Sequence, residues 1–316
     1  MVTIPFTPGL HHLAGSSWVY LQPSGSWGYS NCGLVVRGEQ ALLVDTLFTK
    51  PLTRRMLDTV TTTFPDAHIA TIVTTHANGD HCWGNELLPA ADVVGSRATA
   101  HGMTAEISPA QLATVVTGTP EDTPLGAYVR HYFGQFDFSG ITLRPPSRTF
   151  DGHLDLDLRG HQIQLWEVGP AHTAGDVIVH VPDDGVVFAG DILFIEDHPV
   201  VWSGPIANLV RACTKIIDTG ARFVVPGHGP VTDAAGVASV RSYLEHVAER
   251  AEHHYRAGTP YWRAAADMDL PAPFAAWGHR ERLVTVVAAV YRDLGWSENP
   301  SQLELLRRTA EVWASA

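Results

Sequence analysis

At 316 residues, 45% of them apolar, the chain can bury a sizeable core, which excludes a disordered polypeptide and suits one large domain with or without an extension. A formal net charge of −12 and the shortage of basic clusters argue against nucleic acid as a partner, where a basic stripe is expected. No run approaches the roughly 20 apolar residues that span a bilayer, and the first six residues carry neither a basic leader nor a signal-length apolar stretch, so a cytoplasmic protein without membrane contact is expected.

Residues 34–36 and 41–44 are apolar runs flanking Arg37-Gly38-Glu39-Gln40, which predicts an antiparallel hairpin closed by Asp45. Leu52, Met56, Val60 and Phe64 then recur at helical spacing as far as Pro65. Residues 69–73 are β-branched and read as a buried strand, and directly after them His76, Asn78, Asp80 and His81 put two imidazoles, a carboxamide and a carboxylate into six positions. Residues 101–148 are weakly periodic and give no clear element. Further strands are expected at 163–168, 177–181, 186–189 and 223–225; the turns beyond them carry His172, Asp191 and His228. From about Asp233 the pattern turns helical: Val237, Val240, Leu244 and Val247 share one face, and Leu283, Val286, Val287 and Val290 another. Asn299 reads as the N-cap of a last helix, with Pro300 at its first position. The division expected is a mixed α/β domain over residues 1–232 and a helical extension over 233–316 packed on it, whose helices also offer a surface for homo-oligomers.

The ligand-type residues lie in Thr75-His76-Ala77-Asn78-Gly79-Asp80-His81, Ala171-His172-Thr173-Ala174-Gly175-Asp176, Gly190-Asp191 and Pro226-Gly227-His228-Gly229. In order, spacing and strand context the chain resembles the metallo-β-lactamase superfamily, with its H-x-H-x-D-H, H-T-x-G-D, G-D and P-G-H-G motifs. The resemblance implies an α/β fold, a four-layer αββα sandwich with the metals at one edge between the sheets. It also implies one or two zinc ions: His76 and His172 on the first, Asp80, His81 and His228 on the second, Asp191 bridging, and Asp45 as a supporting group behind them. The family's third first-site histidine is here Asn78. A carboxamide oxygen is a harder and weaker donor than imidazole, so the first site is expected to lose zinc affinity and to accept Mn or Fe more readily.

A metal centre of this kind lowers the pKa of water and polarises a carbonyl. The expected activity is hydrolysis of a small-molecule acyl compound (an ester, thioester or lactone), similar to glyoxalase II or a thioesterase, with Asp80 orienting the water as well as binding metal. Two other readings remain: an iron or manganese oxidoreductase on the same fold, and a ligand-binding protein that has lost turnover. Trp83, Trp202, His198 and Tyr29 are candidate substrate contacts, and Thr173 and Asp176 are expected to brace the His172 turn. Cys32, Cys82 and Cys213, odd in number and widely spaced, read as reduced thiols.

Overall fold

The computed structural model describes residues 4–23 and 26–315; the first three residues, which begin the segment read above as carrying no leader, lie outside the described residues. The first sheet runs β1 (Gly9–Ala14), β2 (Ser17–Leu21), β3 (Cys32–Arg37), β4 (Gln40–Val44), β5 (His68–Val73), β6 (Asp92–Ser96) and β7 (Arg148–Phe150), in that order. The second contains β8 (His153–Leu158), β9 (His161–Glu167), β10 (Val177–Val181), β11 (Val186–Phe188) and β12 (Phe223–Val225), with β12 and β8 at its edges. β3 and β4 form the expected hairpin, Arg37 opposite Gln40. From β4 onward the first sheet is parallel, because each connection crosses over through helix rather than a tight turn.

Alternation along the strands builds the layers. In β4, Leu42 and Val44 point between the sheets, where they meet Ile163, Leu165, Val179 and Phe188. Ala41 and Leu43 point outward and are covered by Met56 and Val60 of α1 (Lys50–Thr63). Thr49 starts that helix by accepting the Leu52 N–H, and proline occupies its first turn. β10 behaves likewise: Val177, Val179 and Val181 face the other sheet and Ile178 faces helices. The order helix, sheet, sheet, helix is the four-layer αββα sandwich, with C-terminal helices added.

Three short helices follow the segment that bears Asp80. α2 (Gly79–Cys82) is a single turn, and α3 (Arg97–Ala105), α4 (Pro109–Gly118) and α5 (Pro124–Phe133) occupy the stretch that gave no clear element in the sequence. α6 (Ile206–Asp218), α7 (Ala234–Arg256), α8 (Tyr261–Asp267) and α9 (Leu283–Asp293) cover the second sheet through one apolar cluster that includes Ile178, Val187, Leu209, Val240 and Val287. α10 (Gln302–Ala314) instead packs on α5, joining Leu306 and Ala310 to Phe48, Trp83, Leu112 and Phe133. It starts later than expected: Ser301, not Asn299, is the N-cap, accepting the Glu304 N–H at 3.2 Å. No described helix is long and apolar enough to cross a membrane.

Candidate metal centre

Each candidate donor hangs from the carboxyl end of a strand: Asp45 after β4, His76 after β5, His172 after β9, Asp191 after β11 and His228 after β12. α2 carries Asp80 and His81 beside them. Small residues let these turns close on one another. A Cβ on Gly227 would fall 1.8 Å from Asp191 Oδ1, and Gly190, at φ 52°, would set its Cβ 2.9 Å from Thr75 Oγ1.

The side chains meet around Asp191. Its Oδ1 lies 3.1 Å from His81 Nε2, and its Oδ2 lies 3.7, 3.4 and 3.5 Å from the Nε2 atoms of His76, His172 and His228. Asp80 Oδ2 is 3.4 Å from His228 Nε2. Although buried, His76 Nε2, His81 Nε2 and Asp191 Oδ1 make no hydrogen bond. They are near one another without pointing at one another, which leaves a convergent set of lone pairs. Two donors on one ion with bonds of about 2.1 Å stand about 3.0 Å apart at right angles and about 3.4 Å apart at the tetrahedral angle. The spacings fit divalent cations, and two overlapping groups, His76-His81-Asp191 and Asp80-His81-His228, have donor atoms close enough to hold one.

The tautomers agree. His172 donates its Nδ1–H to the Val200 carbonyl at 2.7 Å, leaving Nε2 as a lone pair. The Thr75 hydroxyl donates to Asp45 Oδ2 at 2.7 Å and so accepts from His76 Nδ1–H at 3.0 Å. Asp45 also accepts His81 Nδ1–H at 2.9 Å and the Thr75 N–H at 2.7 Å. Thus all three imidazoles aim Nε2 inward, held from behind as metal-binding histidines generally are.

Charge is arranged to match. Burial opposes ionisation of Asp191, but His228, His81, His172 and His76 hold its carboxyl well below the usual carboxylate range. For Asp80, burial is outweighed by His81 and His228, which bring it down to about 2. Burial would keep His81 and His228 neutral, yet Asp191 and Asp80 push both up, His228 to about 9. His76 and His172 are driven down, chiefly by burial. The cluster therefore keeps its carboxylates ionised and draws positive charge.

Asp176 accepts from the Thr173 N–H at 2.9 Å and hydroxyl at 2.8 Å, fastening the turn that carries His172. Burial pushes its carboxyl up to about 7 against those bonds. Cys82 turns its thiol to the Ala77 and Asn78 carbonyls, away from the donors.

The centre forms the floor of an open pocket whose walls are Trp27, Phe48, Trp83, Phe133, Phe194 and Trp202. Trp83 and Trp202 thus line the pocket above the donors. Tyr29 does not: it packs on Phe136 outside the lining. Nor does His198, which is fully buried against Tyr243 and Trp277, with Nδ1 2.9 Å from the Tyr243 hydroxyl. Sequence reading missed Glu106, bonded to Asn78, and Arg282, a buried guanidinium at the pocket wall.

Histidines and aspartates converging at strand ends, under an open pocket in an αββα sandwich, define an enzyme of the metallo-hydrolase class. Residues 25–228 match the Metallo-beta-lactamase superfamily, and the chain belongs to it. It is 25% identical to Metallo-beta-lactamase type 2 of Bacteroides fragilis over 222 residues, 67% of this chain and 75% of that one. It is 24% identical to the 2,4-dinitroanisole O-demethylase subunit alpha of a Nocardioides species over 180 residues, 56% of this chain but only 43% of that one. In structure it is similar to the inverting sec-alkylsulfatase Pisa1 from a Pseudomonas species, with a TM-score of 0.70 at 15% identity, covering 94% of this chain and 52% of that one. A metallo-beta-lactamase from Pontibacter korlensis aligns with a TM-score of 0.55 at 20% identity, over 76% of this chain and 99% of that one.

Proposed function

We propose that the protein hydrolyses an ester, thioester or lactone bearing a bulky apolar group, at a centre of one or two divalent cations. One observation carries this reading: the donor cluster opens into an aromatic-walled pocket whose rim holds Ile107 and Leu303, 38% and 49% exposed. These are the large apolar side chains left exposed among the described residues. Exposed apolar surface continuous with a pocket marks a place where an apolar partner is buried.

His76, Asn78, His172 and Asp191 would hold one cation, and Asp80, His81, His228 and Asp191 the other. Bound there, such ions make water a nucleophile near neutral pH and polarise an acyl oxygen. Asp80, its side chain 14% exposed at the pocket floor, accepts a hydrogen bond from the attacking water and orients it. Held near 2, it stays ionised and positions rather than strongly deprotonates. The aromatic walls hold the apolar group and exclude bulk water from the reacting bond.

Chromogenic esters and thioesters from acetyl to dodecanoyl, assayed with Zn, Mn and Fe, test this. Each methylene that enters the pocket should raise kcat/KM up to roughly fourfold, from about 0.8 kcal/mol of burial, and chelation should abolish turnover. A preference for acetyl substrates, or turnover that survives chelation, would refute it. Aryl ethers, alkyl sulfates and β-lactams, the compounds named for the similar proteins, complete the panel.

A further inference from the structure

Asn78 is the N-cap of α2, where an asparagine ordinarily accepts a first-turn N–H, yet its side chain makes no capping bond. Its Nδ2 donates to Glu106 Oε2 at 2.7 Å, and its Oδ1 accepts the Trp202 indole N–H at 3.2 Å. An indole nitrogen only donates, so Trp202 selects the rotation that turns the amide oxygen toward it and leaves the amide nitrogen to donate to Glu106. The oxygen thus placed is 2.7 Å from His172 Nε2, whose Nδ1–H is already given to Val200. Two lone pairs face each other at 2.7 Å, a repulsion that a shared cation would relieve by drawing both to itself with the donors about 0.3 Å further apart.

We infer that Glu106 is a positioning residue for the first cation: with Trp202 it locks the Asn78 oxygen toward His172, so His76, His172, Asn78 and Asp191 form a subsite of two nitrogens and two oxygens suited to Mn(II) or Fe(II). This rests on the reading of the cluster as a metal centre. Softer nitrogen-rich sets favour zinc, and each oxygen that replaces imidazole shifts preference toward the harder ions. Glu106 ends α3 and also bonds Gln302, the first residue of α10, so the lock ties the subsite to both helices that wall the pocket.

The test is Mn(II) titration of metal-free protein, followed by calorimetry and by electron paramagnetic resonance, with Co(II) absorption as a second signature. Wild type should bind two ions. Glu106→Ala, which frees the amide to rotate, should weaken one by about tenfold or more, leave the other within about twofold, and change the Co(II) spectrum. Glu106→Gln, whose amide oxygen still accepts the Asn78 N–H, should restore wild-type binding, and Asn78→His should move the weakened preference toward zinc. Trp202→Phe keeps an aromatic wall while removing the N–H together with the pyrrole half of the indole, so it reports on the lock even if Glu106→Ala folds poorly. Two ions bound with unchanged affinities and spectra in both Glu106→Ala and Trp202→Phe would overturn the role of Glu106 while sparing the metal centre. A wild type that binds a single Mn(II) would overturn the first subsite itself.

Discussion

Asp45→Asn probes the centre from behind with little change of shape. Asp45 lies at φ 65°, in the left-handed region that asparagine adopts readily, so the backbone need not move. The substitution turns one acceptor into a donor. An amide nitrogen in place of Oδ1 would confront the Thr75 backbone N–H, which cannot rotate away; it therefore takes the place of Oδ2, opposite the Thr75 hydroxyl and His81 Nδ1. The hydroxyl can turn to accept. His81 can accept only by moving its proton from Nδ1 to Nε2, which blocks the lone pair aimed at the centre. Lost support of this kind costs about 10–100-fold in metal affinity, or about 1.4–2.8 kcal/mol. A zinc titration against a chromogenic chelator measures it on folded apoprotein. A separate thermal melt of that apoprotein reads the loss of fold stability, about 1–3 kcal/mol for a buried polar group left unsatisfied. Zinc affinity within about twofold of wild type would refute the claim that Asp45 sets the tautomer of His81.

Two further expectations concern groups near the pocket. Arg282 is 1% exposed and donates to Asp197 Oδ2 at 2.8 Å, so Arg282→Met takes the permanent cation from a buried carboxylate and should cost about 3–5 kcal/mol in urea unfolding; a loss below about 1 kcal/mol would show that His279, also bonded to Asp197, suffices alone. Burial lowers His198 to about 4. The unfolded chain, with its histidine near 6.5, takes up that proton first, so this contribution is full above that value and is lost as pH falls through about 6.5 toward about 4. At about pH 5 wild type should therefore have lost about 2 kcal/mol more, relative to neutral pH, than His198→Gln; parallel stability profiles would refute it.

The donors were legible in the sequence because their geometry is local. His76, Asp191 and His228 follow short strands rich in β-branched residues, and His172, Asp191 and His228 sit in turns of small residues, which the close approach of Gly227 to Asp191 requires to be small. Glu106 was not legible, since nothing in spacing links position 106 to position 78; only the packing of α3 beside α2 brings them together. The helices between 97 and 133 run for only 9 or 10 residues each, too short for periodicity to stand out. Their starts were nevertheless written in the chain as Ser96, Ser108-Pro109 with Gln111, and Thr123-Pro124. The start of α10 went astray where two signals compete: Asn299-Pro300 and Ser301 with Glu304 lie within a few residues, and the serine makes the cap. The resemblance points to Tyr29, in the segment before the first hairpin, and proximity to Asp191 points to His198, but neither says which way a side chain turns.

The two halves of the site differ in how they are held, and that bears on selectivity. The donors stand on strand ends and are tied by hydrogen bonds to Asp45, Thr75 and Val200, so their positions follow from the sheets. The wall is a helical core seen from inside: Phe48 stacks on Trp83 at 5.0 Å, and the same cluster takes in Leu112, Phe133 and Leu306. α10 supplies Leu303 and Leu306 from beyond the family-matched segment, and its Gln302 bonds Glu106. Substitutions along α10 can therefore reshape the apolar volume without moving a donor, whereas a change at Gln302 should reach the proposed first cation subsite through Glu106 and Asn78. On the proposed reading, variants along most of this helix should change substrate preference alone, and variants of its first residue should change metal preference as well.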